Sequence, residues 1–263
     1  MKIAVNGTHI NYVIDGPEGA PWVTMSNSLA TTHRMWEPQM AAFTKRYRVL
    51  RYDKRGHGES DVPPGPYSFE MLADDVLALL DALSIPRTHF VGLSMGGMTG
   101  MTMALKKPAV LRSLVLCDTT SRDPLGDPAL WQQRIDTVRT GGGMSAIVEA
   151  TIARFLTPDT AKNRPALADA VRAMVRSTPP DGYAACCQAI SKLNLTDRLG
   201  GIATPTQIVV GADDPATTVE MSRTIHDRIP GSELVILKNA AHLSNMEQAD
   251  AFNDAVLGFL AKH

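Results

Sequence analysis

The sequence feature that most constrains the fold is the pentapeptide Gly92-Leu93-Ser94-Met95-Gly96. It closes an apolar run over 88–93 that is typical of a buried strand, and a helix-compatible run over 98–105 follows directly. A G-x-S-x-G pattern between a strand and a helix is typical of a sharp turn that exposes a nucleophilic serine. The flanking glycines leave room for a strained backbone, and the N–H groups that begin the helix favour a developing negative charge. The alternative is a serine that merely caps the helix.

Short apolar runs elsewhere predict further strands, most of them followed by a helix. The predicted strands are 2–5, 9–14, 22–25, 47–52, 88–93, 111–117, 206–211 and 232–237. The first two are joined at Asn6-Gly7, a hairpin signal, whereas the later ones alternate with amphipathic helices such as the one that begins after Ser68. This alternation predicts an α/β fold, with a mainly parallel sheet of about eight strands flanked by helices on both faces.

The pattern changes between residues 120 and 196, where strand signals stop. Four helical runs follow one another there, over 128–139, 144–155, 166–176 and 181–192. We therefore predict three parts: the first half of the core over 1–119, an all-helical cap over 120–196 and the second half of the core over 197–263. Because open α/β sheets bind ligands at the carboxyl ends of their strands, we expect the cap to cover that edge.

A nucleophilic serine needs an imidazole that accepts its proton and a carboxylate that orients the imidazole. His242 follows the last predicted strand, at the same sheet edge as Ser94, and is the favoured base; His57, between two glycines, is its main rival. Asp214 follows the penultimate strand and is the favoured acid. Its neighbour Asp213 is the close alternative. Asp118, after strand 111–117, is a third position that more readily ties down the start of the cap.

An oxyanion hole needs two N–H donors aimed at the carbonyl oxygen of the substrate. We predict the backbone of Met95, the residue after the nucleophile, as one donor. The backbone of Leu29 is the predicted second donor, because the polar stretch Asn27-Ser28 follows strand 22–25 at the same edge. Asn27 is a candidate support for this loop and a candidate substrate contact, and a plain turn at Asn27 and Ser28 is compatible with these roles.

Composition excludes several classes of function. The chain of 263 residues is 44% hydrophobic and 20% charged, with a formal net charge of −1, so its charge gives no indication of nucleic-acid binding. No apolar run is long enough to span a membrane, and no signal peptide begins the chain. Three cysteines without C-x-x-C spacing indicate buried thiols and a cytoplasmic protein, and no metal-ligand cluster is evident. The sequence is compatible with a monomer and with a homo-oligomer.

The chain resembles the α/β-hydrolases over its whole length, and within them the 3-oxoadipate enol-lactonases. The order of Ser94, Asp214 and His242 is that of the family's nucleophile, acid and base. The stretches that carry the resemblance are Ser26-Asn27-Ser28-Leu29, Tyr52-Asp53-Lys54-Arg55-Gly56-His57-Gly58, Gly92-Leu93-Ser94-Met95-Gly96-Gly97, Gly211-Ala212-Asp213-Asp214-Pro215-Ala216-Thr217 and Ala240-Ala241-His242-Leu243-Ser244-Asn245. The second and third are common to many hydrolases, and the other three are narrower. Three departures lie near the expected pocket mouth and bear on substrate identity: Ala30 replaces glycine, Arg34 an acidic residue and Thr218 a proline.

The resemblance implies that the protein opens an enol-lactone ring with water. Ser94 would attack the lactone carbonyl, with His242 as the base that Asp214 orients, and no cofactor or metal would be required. The free carboxylate of such a small-molecule substrate needs a cation. On the predicted helix 128–139, Trp131 and Arg134 are three residues apart and are the candidate contacts; Arg122 is a second candidate cation.

Two other functions fit the same motifs. A general carboxylesterase, with or without perhydrolase activity, would use the same three residues on neutral esters. A non-catalytic ligand receptor on a hydrolase scaffold is the rival from another class, and an intact Ser-Asp-His set argues against it. Dehalogenases and epoxide hydrolases are disfavoured because they place an aspartate where Ser94 stands.

Overall fold

The computed structural model describes residues 1–263 and contains a single sheet of eight strands. The strands are β1 (Lys2–Val5), β2 (Thr8–Asp15), β3 (Trp22–Ser26), β4 (Arg48–Tyr52), β5 (Thr88–Leu93), β6 (Leu111–Cys117), β7 (Thr206–Gly211) and β8 (Glu233–Leu237). Their order across the sheet is β1-β2-β4-β3-β5-β6-β7-β8. β2 is antiparallel to both of its neighbours, and all other pairs are parallel. The predicted α/β fold with eight mainly parallel strands is confirmed.

Helices cover both faces of this sheet. The helices are α1 (Glu37–Phe43), α2 (Phe69–Ala82), α3 (Met95–Lys106), α4 (Pro128–Thr140), α5 (Val148–Phe155), α6 (Pro158–Asn163), α7 (Pro165–Ser177), α8 (Pro180–Ile190), α9 (Val219–Arg228), α10 (Ser244–Glu247) and α11 (Ala249–Leu260). The interior strands β5 and β7 are buried along their whole length, as expected for parallel strands that are covered on both faces. α2 begins after Ser68, whose hydroxyl accepts a hydrogen bond from the Met71 N–H.

The five helices α4 to α8 lie between β6 and β7, with no strand among them. Apart from shifts of one or two residues at the helix ends, their bounds differ from the predicted ones in two places. The run 144–155 divides into a 3-10 turn, Gly143–Ile147, and α5, because the Ile147 backbone, with φ of −107° and ψ of −2°, departs from regular helical geometry. Gly142 and Gly143, with φ of 112° and 70°, separate this run from α4. The short helix α6 was not predicted; Pro158 starts it and the Thr157 side chain caps it. We call residues 120–196 the helical insert; its status as a separate cap stays a prediction.

The two ends of the helical insert are joined to each other, and its middle is attached to the core. At the ends, the Leu195 N–H donates to the Ser121 carbonyl at 2.7 Å. In the middle, the Leu243 N–H, in the loop after β8, donates to the Phe155 carbonyl at 2.9 Å. These attachments hold the insert over the carboxyl edge of the sheet. None of the helices is both long and apolar enough to cross a membrane.

Candidate active site

Ser94 lies between β5 and α3 in a conformation that few residues other than glycine adopt. Its φ is 55° and its ψ is −114°, so its backbone is strained. Two hydrogen bonds hold it there: the Ser94 N–H donates to the Cys117 carbonyl at 2.8 Å, and the Thr119 hydroxyl donates to the Ser94 carbonyl at 2.7 Å. The serine therefore stands at the tip of a turn that the neighbouring strand end supports.

The two glycines around Ser94 are required by close packing of backbone atoms. A Cβ at Gly92 would collide with the backbone of Gly96, and a Cβ at Gly96 would collide with the Ser26 carbonyl at the end of β3. The predicted steric reason for this G-x-S-x-G pattern is thus present in the geometry. A serine that only caps α3 is not what the structure contains, because the Ser94 side chain makes no capping hydrogen bond.

His242 and Asp214 lie together at the carboxyl edge of the sheet. Nδ1 of His242 is 2.9 Å from Oδ2 of Asp214, and both side chains are almost fully buried. Burial raises the pKa of the Asp214 carboxyl, but the charge of His242 and hydrogen bonds from His242 and Thr217 outweigh it, so this pKa lies below its ordinary value. The carboxylate is therefore ionised and able to fix the orientation of the imidazole.

The alternative acids and the alternative base do not lie beside His242 and Asp214 as partners of the pair. Asp213 is exposed. Asp118 is buried and accepts hydrogen bonds from the Gly211 N–H and the Ser244 hydroxyl, so it joins β7 to α10 instead of holding the start of the insert. Nε2 of His57 accepts the Ala30 N–H at 3.0 Å, and burial lowers the pKa of this histidine to about 3. His57 is thus a neutral structural acceptor.

Ser94 and His242 line one cavity of about 170 Å³ between the sheet edge and the helical insert. The remaining lining residues come from the core (Ser28, Leu29, Ala30, Met98, Pro215, Ala216, Thr217 and Met221) and from the insert (Pro124, Leu125, Trp131, Arg134, Thr151, Arg154, Phe155, Tyr183 and Ile190). The cavity is small and mostly apolar, with a few polar groups, which is the usual composition of a small-molecule site.

The loop 27–30, which we call the oxyanion loop, follows β3 and reaches this cavity. Leu29 lines the cavity, and its N–H donates to no acceptor in the protein. Met95 is the first residue of α3, where N–H groups have no partner within the helix. Asn27 does not line the cavity: it is fully buried, and its side chain donates to the Thr31 carbonyl at 2.8 Å. Its place is therefore behind the loop and not against a ligand.

The predicted cation Arg134 lies in the cavity, beside Trp131. Its guanidinium carbon is 5.1 Å from the centre of the Trp131 ring, whose Nε1 donates to Asp123 at 2.7 Å. A second arginine, Arg154, lines the same cavity and was not predicted. Burial and the charge of Arg134 lower the pKa of Arg154 below its ordinary value, and neither arginine has a carboxylate partner. The other candidate cation, Arg122, is exposed and lies outside the cavity.

Two more residues contact the imidazole and its carboxylate without having been predicted. The Thr217 hydroxyl donates to Oδ2 of Asp214 at 2.7 Å, and the Phe155 ring stacks on His242 with ring centres 5.2 Å apart. A threonine three residues after an aspartate is a weak signal for the first contact. No sequence signal exists for the second, because Phe155 and His242 are brought together only by the packing of the insert on the core.

Comparison with known proteins agrees with this arrangement. Residues 21–249 match the family model of the alpha/beta hydrolase fold. The chain belongs to the α/β-hydrolase family. It is 37% identical to 3-oxoadipate enol-lactonase 2 of Acinetobacter baylyi, over 94% of this chain and 91% of that relative. Family membership and this similarity together make the protein a hydrolase of the class that cleaves esters and lactones.

Solved structures of this family are similar over almost the entire chain. The crystal structure of the enol-lactonase from Burkholderia xenovorans LB400 has a TM-score of 0.96 and 42% identity, covering 99% of this chain and all of that one. A thermophilic esterase from Thermogutta terrifontis has a TM-score of 0.91 and 30% identity, covering 100% of this chain and 98% of that one. The same architecture thus occurs in hydrolases that carry different substrate names.

Proposed function

We propose that the protein opens the ring of an anionic enol-lactone, 3-oxoadipate enol-lactone above all, with water to give the open-chain dicarboxylate. The observation that carries this proposal is the cavity in which two arginines without carboxylate partners, Arg134 and Arg154, accompany Ser94 and His242. The similarity to enol-lactonases of A. baylyi and B. xenovorans supports the same substrate class. In this proposal the helical insert, residues 120–196, is a cap that closes the site and supplies the cations.

In the first half of the reaction Ser94 is the nucleophile. His242 removes the proton from the Ser94 hydroxyl while its oxygen forms a bond to the lactone carbonyl carbon, and the Asp214 carboxylate stabilises the imidazolium that results. The N–H groups of Leu29 and Met95 hold the oxyanion of the tetrahedral intermediate. The carbon–oxygen bond of the ring then breaks, and the leaving enolate takes up the proton that His242 holds and becomes a ketone, which returns the imidazole to its neutral form. An acyl group remains on Ser94.

In the second half water releases this acyl group. His242 removes a proton from water, whose oxygen bonds to the acyl carbon, and the Ser94 oxygen leaves and regains a proton from His242. The product carries one carboxylate more than the substrate, and the enzyme returns to its starting state. The substrate, Ser94, His242 and water together supply every electron pair and proton that the two half-reactions use, so the proposed reaction needs no cofactor.

The arginines give this proposal its specificity. A carboxylate that binds in a partly buried cavity needs charge-assisted donors there, and a guanidinium offers two parallel N–H groups to it. The face of Trp131 holds the Arg134 guanidinium in place by a cation–π contact. The carboxylate of the substrate would thus bind to the cap while its lactone carbonyl reaches Ser94.

The test compares an anionic lactone with a neutral ester. Purified protein should open 3-oxoadipate enol-lactone with a kcat/KM at least about 100-fold above that for p-nitrophenyl acetate, because two cations contribute binding energy only to the anion. The Ser94→Ala variant should lose both activities. A neutral ester turned over as well as the lactone would instead favour a general carboxylesterase.

A separate measurement tests whether the site is catalytic at all. A fluorophosphonate should label the wild-type protein covalently at Ser94, and the Ser94→Ala variant should stay unlabelled. A folded protein that resists labelling would favour the non-catalytic receptor.

A further inference from the structure

The side chain of Lys54 ends in an environment that is unusual for a charged group. It is 3% exposed, and its ammonium donates to the carbonyl oxygens of Asn27 at 2.6 Å and Ser28 at 3.0 Å. It forms no ion pair with any carboxylate, so two peptide oxygens are its only hydrogen-bond partners. A buried cation without a counter-ion opposes folding unless its hydrogen bonds compensate. This arrangement therefore calls for a functional reason.

The second of these carbonyls belongs to the peptide unit that ends in the Leu29 N–H. This peptide bond is trans, so its C=O and N–H point in opposite directions. A donor that holds the Ser28 oxygen on one side consequently aims the Leu29 N–H to the other side, and Leu29 lines the cavity beside Ser94. The Thr31 hydroxyl also donates to the Ser28 oxygen, at 2.9 Å. Both lone pairs of this carbonyl are thus occupied.

An ammonium that donates to the carbonyl oxygen also polarises the N–H at the other end of the peptide unit, which makes that N–H a stronger hydrogen-bond donor. Hydrogen bonds in series polarise one another, and the effect is larger in a buried, low-dielectric environment. The Leu29 N–H donates to no protein acceptor, so this added polarity is available to a ligand. The contact from Lys54 therefore acts in two ways: it sets the direction of the Leu29 N–H and increases its strength as a donor.

We propose that Lys54 is a positioning residue that orients and polarises the Leu29 N–H as one donor of the oxyanion hole. This inference rests on the proposed function in so far as it takes Ser94 as the nucleophile. Lys54 itself touches neither the substrate nor the reacting atoms. It acts through one peptide unit, from the side of the oxyanion loop that faces away from the cavity.

The loop that carries Lys54 holds the oxyanion loop at a third point. Residues 53–60, which we call the brace loop, include His57, whose Nε2 accepts the Ala30 N–H at 3.0 Å. Ala30 has a φ of 58°, an unfavourable conformation for a residue with a Cβ, so the turn needs such support. The charge of Lys54 helps to keep the His57 pKa low and the imidazole neutral, as an acceptor.

The test separates the binding of a transition-state mimic from the binding of a ground-state analogue. The probes are 1,1,1-trifluorohexan-2-one, which forms a tetrahedral oxyanion on Ser94, and 1,1,1-trifluorohexan-2-ol, which does not. In Lys54→Met, kcat for p-nitrophenyl acetate should fall by about 10- to 100-fold with KM within about threefold. The affinity for the ketone should fall by the same factor, and the affinity for the alcohol should stay within about threefold.

Three controls make the result decisive. Lys106→Met removes a half-exposed lysine that pairs with Asp74 and should leave all four quantities unchanged. Lys54→Gln keeps a neutral donor and should give a smaller loss with the same split; it carries the test if Lys54→Met does not fold. Fluorophosphonate labelling of Ser94 in the wild type tests the nucleophile separately. Labelled wild type together with unchanged ketone selectivity in both Lys54 variants would overturn the role of Lys54.

The pH dependence provides an independent readout. Burial lowers the pKa of Lys54 to about 8, against opposing contributions from Cys186 on α8 and from Asp53; His57 is the third titratable group that faces it. The ammonium is charged below this pH and neutral above it. The wild-type kcat should therefore decrease as the pH rises through about 8, and Lys54→Met should lack this decrease. The same alkaline decrease in both proteins would contradict the inference.

Discussion

The ring of Phe155 stacks on the imidazole of His242, with ring centres 5.2 Å apart and ring planes inclined by 30°. The backbone reinforces this contact, because the Leu243 N–H donates to the Phe155 carbonyl at 2.9 Å. One residue of the helical insert thus touches both the candidate base and the residue that follows it. The insert therefore does more than cover the cavity: it holds the imidazole between an aromatic ring and the Asp214 carboxylate.

Replacing Phe155 by leucine should lower kcat by about 2- to 10-fold and leave KM within about threefold. An aromatic pair contributes about 0.5–1.5 kcal/mol beyond its buried area, and this energy holds the imidazole in one orientation. Steady-state kinetics on p-nitrophenyl acetate checks this expectation. Phe259→Leu removes a ring that lies 4.8 Å from the terminal His263 and should not change kcat. Equal losses in both variants would indicate a general effect on stability.

Replacing Thr217 by valine should lower kcat about tenfold at constant KM. The Thr217 hydroxyl donates to Oδ2 of Asp214 at 2.7 Å and lies 3.2 Å from Nδ1 of His242. Its loss removes a hydrogen bond that holds the Asp214 carboxylate in the position from which it orients the base. Thr217→Ser keeps the hydroxyl and should stay within about threefold of the wild type. If serine and valine were equally harmful, the lost methyl packing and not the hydrogen bond would be responsible.

Replacing Arg134 or Arg154 by alanine should raise KM for the anionic lactone by about 10- to 100-fold, since each change removes a charge-assisted donor from the cavity. The kcat/KM for p-nitrophenyl acetate should stay within about threefold. The matched control is Arg122→Ala, which removes an exposed arginine outside the cavity and should change neither substrate. Equal losses on lactone and ester would contradict a role in carboxylate binding.

Stability should depend on pH through Asp53, at the start of the brace loop. Burial raises its pKa, but hydrogen bonds and charge from His33, with a hydrogen bond from Asn11, lower it to about 2, below the ordinary 3.8. The ionised Asp53 carboxylate thus contributes about 2 kcal/mol to the free energy of unfolding at neutral pH. Because the folded pKa is depressed, this contribution is complete above pH about 4 and is lost as the pH falls through about 2.

Urea unfolding of Asp53→Asn tests this contribution. At pH 7 the variant should be less stable than the wild type by at least about 2 kcal/mol, and the difference should shrink as the pH approaches 2. Asp61→Asn, at a half-exposed position paired with Lys2 and His9, should have a much smaller effect. A pH-independent difference for Asp53→Asn would show that lost packing, and not ionisation, causes the destabilisation.

The eight strands could be predicted because a buried strand requires apolar residues that are consecutive in the sequence. A parallel strand that is covered on both faces reads as a short apolar run, and the prediction for each strand is within one residue of the structure. The helical insert was predicted as a region but not in detail. Helix α6 has only six residues and depends on the Thr157 cap and on packing against its neighbours, so its apolar pattern is too short to detect.

The choice between neighbouring acids needed the fold. Asp213 and Asp214 are chemically identical and adjacent, so only the direction of each side chain distinguishes them. The path of the chain after β7 turns Asp214 inward to His242 and leaves Asp213 exposed. The choice of Asp214 as the candidate acid therefore rested on position along the chain, and the 2.9 Å contact to His242 is the physical basis for it.

The sequence by itself determined the α/β class and the sharp turn at Ser94, because both depend on residues that are close together in the chain. Gly92 and Gly96 have no side chain where backbone atoms must approach, and that requirement is local. The tertiary structure alone decided that Arg154 joins Arg134, that Phe155 stacks on His242 and that Lys54 holds the oxyanion loop. Each of these arrangements brings together residues 20 or more positions apart, and no pattern along the chain encodes the distance between them.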